Sequence, residues 1–187
     1  NEILNFYNLI AINPANILQG KYFWTFITSM FMHAGFFHLF ANMISLFFMG
    51  SLVEKLLGKR RYLMFYLLSG IFAGLLFVFS GLIFKSDLNT YAIGASGALF
   101  ALVGFLMLIT PNLPVYIMFI PIPVKMKYAA PGILIVLWLI SLAGNIPIGN
   151  IAHLGGLIAG LIYGMYIKTK YQFKKNCHIY YVEPFNS

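Results

Sequence analysis

The stretch "NIAHLGGLIAGLIYG", residues 150–164, decides how this chain folds. Gly156, Gly160 and Gly164 recur every fourth residue, and His153 stands three before the first. On a helix all four share one face. A row of glycines lets a neighbouring backbone come close, at the expense of helix propensity. The rest of the segment is apolar, as a membrane helix must be. It therefore predicts a membrane helix packed on another helix, with an imidazole at the contact. Polar side chains inside spans are rare and costly, so His153 asks for a partner.

Composition carries the membrane reading to the whole chain. Of 187 residues, 61% are hydrophobic and 9% charged. Soluble domains carry about 25% charged residues. The apolar runs predict an all-α polytopic transmembrane bundle of five spans, near residues 36–53, 62–84, 94–109, 131–144 and 151–167. Several are short against a hydrocarbon core of ~30 Å, so their ends are expected in a thinned bilayer or inside the protein. Residues 1–20 read as a loop or partly embedded segment. The aromatic-rich residues 21–35 read as an interface helix. Residues 110–128 carry four prolines and read as an interfacial connection, and 145–150 as a tight turn.

The net charge of +8 would suit nucleic acid, but its distribution argues otherwise. Lys55, Lys59, Arg60 and Arg61 follow the first span, Lys125 and Lys127 precede the fourth, and Lys168, Lys170, Lys174 and Lys175 follow the fifth. Five alternating spans put all ten on one side. By the positive-inside rule that side is the cytoplasm, so the charge orients the protein and no nucleic-acid partner is expected. The C-terminus is then cytoplasmic, with 176–187 as a tail beyond a membrane domain of 1–175. Cys177 is the single cysteine, so no internal disulfide forms. No signal peptide is recognisable at Asn1.

The same count places four polar residues at one depth on the outer side. His38 and Asn42, four apart on one face, begin the first span; Ser96 begins the third; His153 begins the fifth. Ser96, Phe100 and Gly104 form a row on the third span. If that row meets the glycine stripe, serine and histidine come within hydrogen-bonding reach. A hydroxyl becomes a useful nucleophile when a base takes its proton, and imidazole suits that role. No carboxylate lies at this level, so packing must hold the ring, and Phe100 can supply it by stacking. Free N–H groups at Ser96 and Gly97, with the Asn42 amide and the His38 imidazole, could bind an oxyanion. Each residue alone has a bland reading: a cap for Ser96, an interface histidine for His153, a structural pair for His38 and Asn42. Their convergence is what favours chemistry. His33 and His38, five apart with no cysteine or carboxylate beside them, make a poor metal site. No metal or cofactor is expected.

These motifs resemble those of the rhomboid intramembrane serine proteases over nearly the whole chain. "GASGALF" is similar to the family's G-x-S-G motif, with Ser96. "HAGFFHLFANM" is similar to H-x-x-x-x-H-x-x-x-N, with His33, His38 and Asn42. "AHLGGLIAG" carries His153, and "LEKLLGKRR" supplies Glu54, Gly58 and Arg61 of a structural element. The resemblance implies a six-helix bundle that cuts single-span membrane proteins near the outer face. It implies Ser96 as nucleophile, His153 as general base, and His38, Asn42 and the Ser96 backbone as the oxyanion hole. Residues 1–35 would form the embedded loop between the first two family helices. With five spans here, the family's first helix is expected to be missing upstream of Asn1. Phe100 stands where the family often has tyrosine, and Trp24-Thr25 where it often has Trp-Arg. The compact chain suggests a prokaryotic cell membrane. The alternatives are a rhomboid-like pseudoprotease that binds without cutting, and a transporter. A transporter would carry its polar residues at the midplane rather than at one end.

Overall fold

The computed structural model describes residues 2–117, 121–144 and 149–176. The chain is a helical bundle, with α1 (Glu2–Ile10), α2 (Pro14–Leu18) and α3 (Thr25–Thr28) preceding the membrane helices. The first span runs Phe36–Leu57 as α4 (Phe36–Ser45), a π turn at Leu46–Gly50 and α5 (Ser51–Leu57). Then follow α6 (Lys59–Ile83), α7 (Ser96–Ile109), α8 (Met126–Gly144) and α9 (Asn150–Asn176). Four of these membrane helices are long and apolar enough to cross a bilayer. The fifth, α7, has 14 residues and reaches only about 21 Å.

That short helix is the core. Leu99, Ala101, Leu102, Phe105 and Leu106 of α7 are buried, against Val53 and Leu57 of α5, Phe65 of α6 and Met126 and Ala129 of α8. The surrounding helices turn large apolar side chains outward, among them Phe36, Phe47, Leu68, Phe79 and Leu142. On a soluble protein such a surface would aggregate; in hydrocarbon it is the solvated one. The helix surrounded by protein can be short because it does not itself face lipid.

The glycine stripe explains how α9 reaches α7. A Cβ at Gly156 would overlap the Gly97 carbonyl, and one at Gly160 the Ala101 carbonyl. One at Gly104 would stand 2.6 Å from the Leu157 carbonyl oxygen, so the close approach uses glycines on both helices. Gly164 carries the contact on to Leu108. At the other end of the first span, Gly58 adopts φ +79° and its N–H donates to the Glu54 carbonyl (2.8 Å), ending α5 and admitting α6 at once. A left-handed residue there favours glycine.

Several sequence expectations need correction. Residues 21–35 are not one interface helix: α3 gives way to a 3-10 turn (Ser29–Phe31), and Met32 is extended. Tyr22 at φ +58° and the Thr25 hydroxyl donating to the Tyr22 carbonyl (2.7 Å) fold this segment on itself. Residues 2–20 hold two short helices, α1 and α2, where a loop or partly embedded segment was expected, and Trp24 Nε1 ties them down by donating to the Leu9 carbonyl (2.9 Å). The fourth span starts at Met126, not at Pro131, which lies inside α8. The α8 N-terminus is held by Met126 N–H on Leu113 O (2.9 Å) and Lys127 N–H on Pro111 O (3.1 Å). The fifth helix runs nine residues past the expected end at 167. The connection at 110–128 contains a small antiparallel pair, β1 (Pro114–Val115) with β2 (Val124–Lys125). Most of the turn at 145–150, Cys177 and the tail beyond Asn176 lie outside the described residues.

The segment before α7 is fixed from the N-terminal side. Ile12 and Ala92 exchange backbone hydrogen bonds (3.0 and 2.9 Å), Ala15 N–H donates to Leu88 O (3.0 Å), and Asn13 Nδ2 to Thr90 O (3.2 Å). Gly94 N–H donates to Ser29 O (2.8 Å), two residues before Ser96. Residues 12–29 thereby hold the turn from which α7 departs.

Candidate active site

Ser96 is the first residue of α7 and His153 lies in the first turn of α9. With α7 and α9 in glycine-mediated contact, Ser96 Oγ stands 2.7 Å from His153 Nε2. This is a hydrogen bond of ordinary O–H···N length, in which the hydroxyl donates when Nε2 is unprotonated. Ser96 is partly accessible while His153 is buried, so one side of the pair is open to a reactant. The Phe100 ring stacks on the His153 ring at 4.8 Å between centroids and 23° between planes. His153 Nδ1 has no hydrogen-bond partner among the described residues. Stacking, rather than a carboxylate, therefore fixes the imidazole plane.

His38 comes to the same place from α4, with Asn42 one turn further along that helix. Ala34 N–H donates to His38 Nδ1 (3.3 Å), so the neutral ring carries its hydrogen on Nε2. That Nε2 lies over Gly94: a Cβ at Gly94 would stand 2.7 Å from it and 3.6 Å from Ser96 Oγ. An N–H donor thus points into the space beside the serine. Asn42 is buried, and Nδ2 donates one hydrogen to the His38 carbonyl (2.7 Å), leaving the second amide hydrogen for another acceptor. The first bond back onto the α7 start is Leu99 N–H on Ala95 O (3.0 Å). The Ser96, Gly97 and Ala98 N–H groups precede it and have no intrahelical carbonyl. Gly97 itself is wedged against Ala73 of α6, where a Cβ would come within 2.8 Å of the alanine methyl.

His33 packs edge-on against His38, 5.1 Å between centroids. Its burial pulls the His33 pKa below the ordinary imidazole value, and the Phe31 backbone opposes that in part. Sequence reasoning missed two contributors, Gly94 and the Ala34 N–H. Gly94 was visible as the first glycine of the G-x-S-G match, but its reason is structural: φ is +119°, and a side chain there would strike His38. The Ala34 N–H left no sequence signal, because any residue other than proline supplies one.

The arrangement combines a hydroxyl on a ring nitrogen, a held ring, and a second imidazole beside the hydroxyl, at the end of a helix buried in a polytopic membrane bundle. Acyl transfer calls for groups of these kinds. The chain belongs to the rhomboid family: the Rhomboid domain model matches residues 20–170. It is similar to RHOMBOID-like protein 1 of Arabidopsis thaliana, 34% identical over 167 residues, covering 87% of this chain and 39% of that protein. It is also similar to Inactive RHOMBOID-like protein 8 of the same plant, 32% identical over 146 residues, covering 76% of this chain and 38% of the relative. A protein of Bacillus subtilis (strain 168) that bears the provisional name of a rhomboid protease, YdcA, is 38% identical over 88 residues, 47% of this chain and 41% of its own. The chain spans less than half the length of these relatives. They come from a plant and a bacterium, which leaves the expectation of a prokaryotic membrane without support.

Proposed function

We propose that this chain is an intramembrane serine endopeptidase that cleaves transmembrane segments of other proteins near the outer membrane face through a Ser-His dyad. The observation that carries the reading is the 2.7 Å contact between Ser96 Oγ and His153 Nε2 at the partly open end of α7. In the reaction, Ser96 Oγ attacks the scissile carbonyl carbon while its proton passes to His153 Nε2. The carbonyl oxygen becomes an oxyanion that receives hydrogen bonds from His38 Nε2, the free Asn42 amide hydrogen and the Ser96 and Gly97 N–H groups. His153 then delivers the proton to the departing amine, the C–N bond breaks, and an acyl-enzyme remains. Water then attacks the ester carbon as His153 Nε2 takes its proton; the bond from that carbon to Ser96 Oγ breaks, the proton passes from His153 to Oγ, and the acid product leaves. Phe100 and His33 are positioning residues in this scheme, acting through His153 and His38.

Residues 1–175 form the membrane domain and 176–187 a cytoplasmic tail, with the dyad opening to the outer side. The basic face formed by Lys55, Arg60, Lys127 and Lys168 supports that orientation. The second reading, a pseudoprotease, draws on the relative named inactive. Against it, this chain keeps both a serine and a histidine, in contact. Comparing new protein termini in membranes with and without the expressed chain separates the two. The proposal expects fragments of single-span proteins cut within or beside the span. Identical terminus profiles, with the chain abundant and folded, would favour the pseudoprotease.

Asn42→Ala should lower turnover without abolishing it. One oxyanion donor is typically worth on the order of 10²–10³ in rate, and others remain. Turnover of a reconstituted single-span substrate checks this, and an unchanged rate would remove Asn42 from the hole. Gly94→Ala should displace His38 and strain the backbone at φ +119°. Its cleavage rate should fall at least as far as that of His38→Ala, and the double variant should be no worse than Gly94→Ala alone. Additive losses would mean that Gly94 acts elsewhere.

A further inference from the structure

A cavity of about 320 Å³ lies where the end of α6, the segment before α7 and the start of α9 meet. Phe77 in its lining is one turn on from Ala73, the α6 residue that meets Gly97 of α7 and Gly155 of α9. The cavity therefore belongs to the inner flank of α6, at the junction of these helices. It is close to the candidate site. Asn150 in the lining stands one turn before His153, and Tyr91 stands five residues before Ser96. Five steps of chain put Tyr91 no more than about 17 Å from Ser96, which about five residues of an extended peptide can span.

The walls are partly aromatic, from Phe77, Phe84 and Tyr91, and Asp87 is the charged residue of the lining. The Asp87 main chain is held in place. Its N–H donates to Phe84 O (2.9 Å), and its carbonyl accepts from Thr90 N–H (3.1 Å) and Thr90 Oγ1 (2.7 Å). The half-buried carboxylate is less well served. Ser80 Oγ stands 2.9 Å from Oδ2 but also 2.8 Å from the Phe77 carbonyl, with one hydrogen for both. Ser86 Oγ is 3.3 Å from Oδ1. Lys85 is exposed and outside the lining, and no ion pair reaches Asp87 among the described residues. A carboxylate offers about four acceptor sites, so most of this one is unused. Asn150 Oδ1 also has no donor among the described residues. Acceptors beside aromatic walls suit a basic side chain, whose methylene stem lies along the rings while its head reaches the carboxylate. An apolar or acidic side chain seated there would leave Asp87 unpaired.

We propose, resting on the peptidase reading above, that this cavity is a specificity pocket for the substrate. It takes a lysine or arginine side chain that lies within about five residues of the scissile bond, with the cationic head on Asp87 and the stem against Phe84 and Tyr91.

Peptide binding by the Ser96→Ala chain tests the pocket apart from the chemistry. A labelled single-span peptide in detergent micelles carries lysine, glutamine or glutamate at successive positions beyond the end of its span, and fluorescence anisotropy reads the affinity. At one or two adjacent positions lysine should bind about fivefold more tightly than glutamine, the upper end of what a partly exposed ion pair supplies. Asp87→Asn should erase that difference, and Asp87→Lys should transfer the preference to the glutamate peptide. With Ser96 intact, kcat/KM should follow the same order, and the cut should fall within about five residues of the preferred position. The absence of a lysine preference at every position would overturn the pocket, as would an undiminished preference in folded Asp87→Asn. Calcium that displaces the lysine peptide at matched ionic strength would assign the cavity to an inorganic cation and overturn it too. A lysine preference in binding, with no cleavage by the native chain, would uphold the pocket and remove the peptidase reading.

Discussion

A chain carrying alanine in place of Ser96 is expected to cleave nothing measurable while folding normally. The Oγ atom makes a hydrogen bond to His153, and its removal takes away the group proposed to form the acyl-enzyme. Among serine hydrolases loss of the nucleophile costs on the order of 10⁶ in turnover. The packing of α7 begins with Gly97 and Ala98, which the substitution leaves in place, so thermal stability in detergent should change little. The comparison that matters is therefore cleavage against stability in the same preparation. Persistent cleavage by folded Ser96→Ala would remove the serine from the chemistry.

The second large effect concerns the helix contact rather than the chemical groups. Gly156→Val is expected to destabilise the bundle and silence the site together. Carbonyl oxygens of α7 already occupy the places where a Cβ would go at Gly156 and Gly160. The helices must separate, or the side chain must be forced into a filled space. Overpacking typically costs about 1–3 kcal/mol, and a clash with backbone sits at the high end because backbone cannot rotate away. Separation also draws His153 from Ser96. Gly132 of α8 offers the matched control, since a Cβ there meets nothing within 4 Å. Gly132→Ala should keep or slightly raise the melting temperature, as the helix propensities imply. Equal stability of Gly156→Val and Gly132→Ala would contradict the close α7–α9 approach.

Much of this contact is legible in the primary structure for a simple reason. A four-residue glycine repeat has one structural meaning in a membrane helix, and span parity follows from counting basic residues. His153, Ser96, His38 and Asn42 then fall at one level without any coordinates. What remained hidden depends on tertiary hydrogen bonds. The α8 start at Met126 is set by the carbonyls of Pro111 and Leu113, residues on a different segment, so a reading that stops at Pro131 is reasonable but wrong. The segment 21–35 has the composition of an interface helix, yet the left-handed Tyr22 and the Thr25 hydroxyl turn it into short pieces packed under the α7 entry. The last turns of α9 show the converse: hydropathy ends near Ile167, but the lysine-rich residues that follow remain good helix formers. The π turn at Leu46–Gly50 has one trace in the sequence, Gly50, where a Cβ would meet the Tyr62 hydroxyl at 2.7 Å. Gly94 shows the same limit inside the site. The glycine is visible, but the imidazole that requires it belongs to a helix more than fifty residues earlier.

The most direct measurement is covalent labelling of the chain in its membrane with a fluorophosphonate, followed by mapping of the adduct by mass spectrometry. The account predicts a single adduct on Ser96, lost both in Ser96→Ala and in folded His153→Ala, because the hydroxyl reacts only through the imidazole beside it. An unlabelled native chain, an adduct on a different serine, or undiminished labelling of Ser96 without His153 would contradict it.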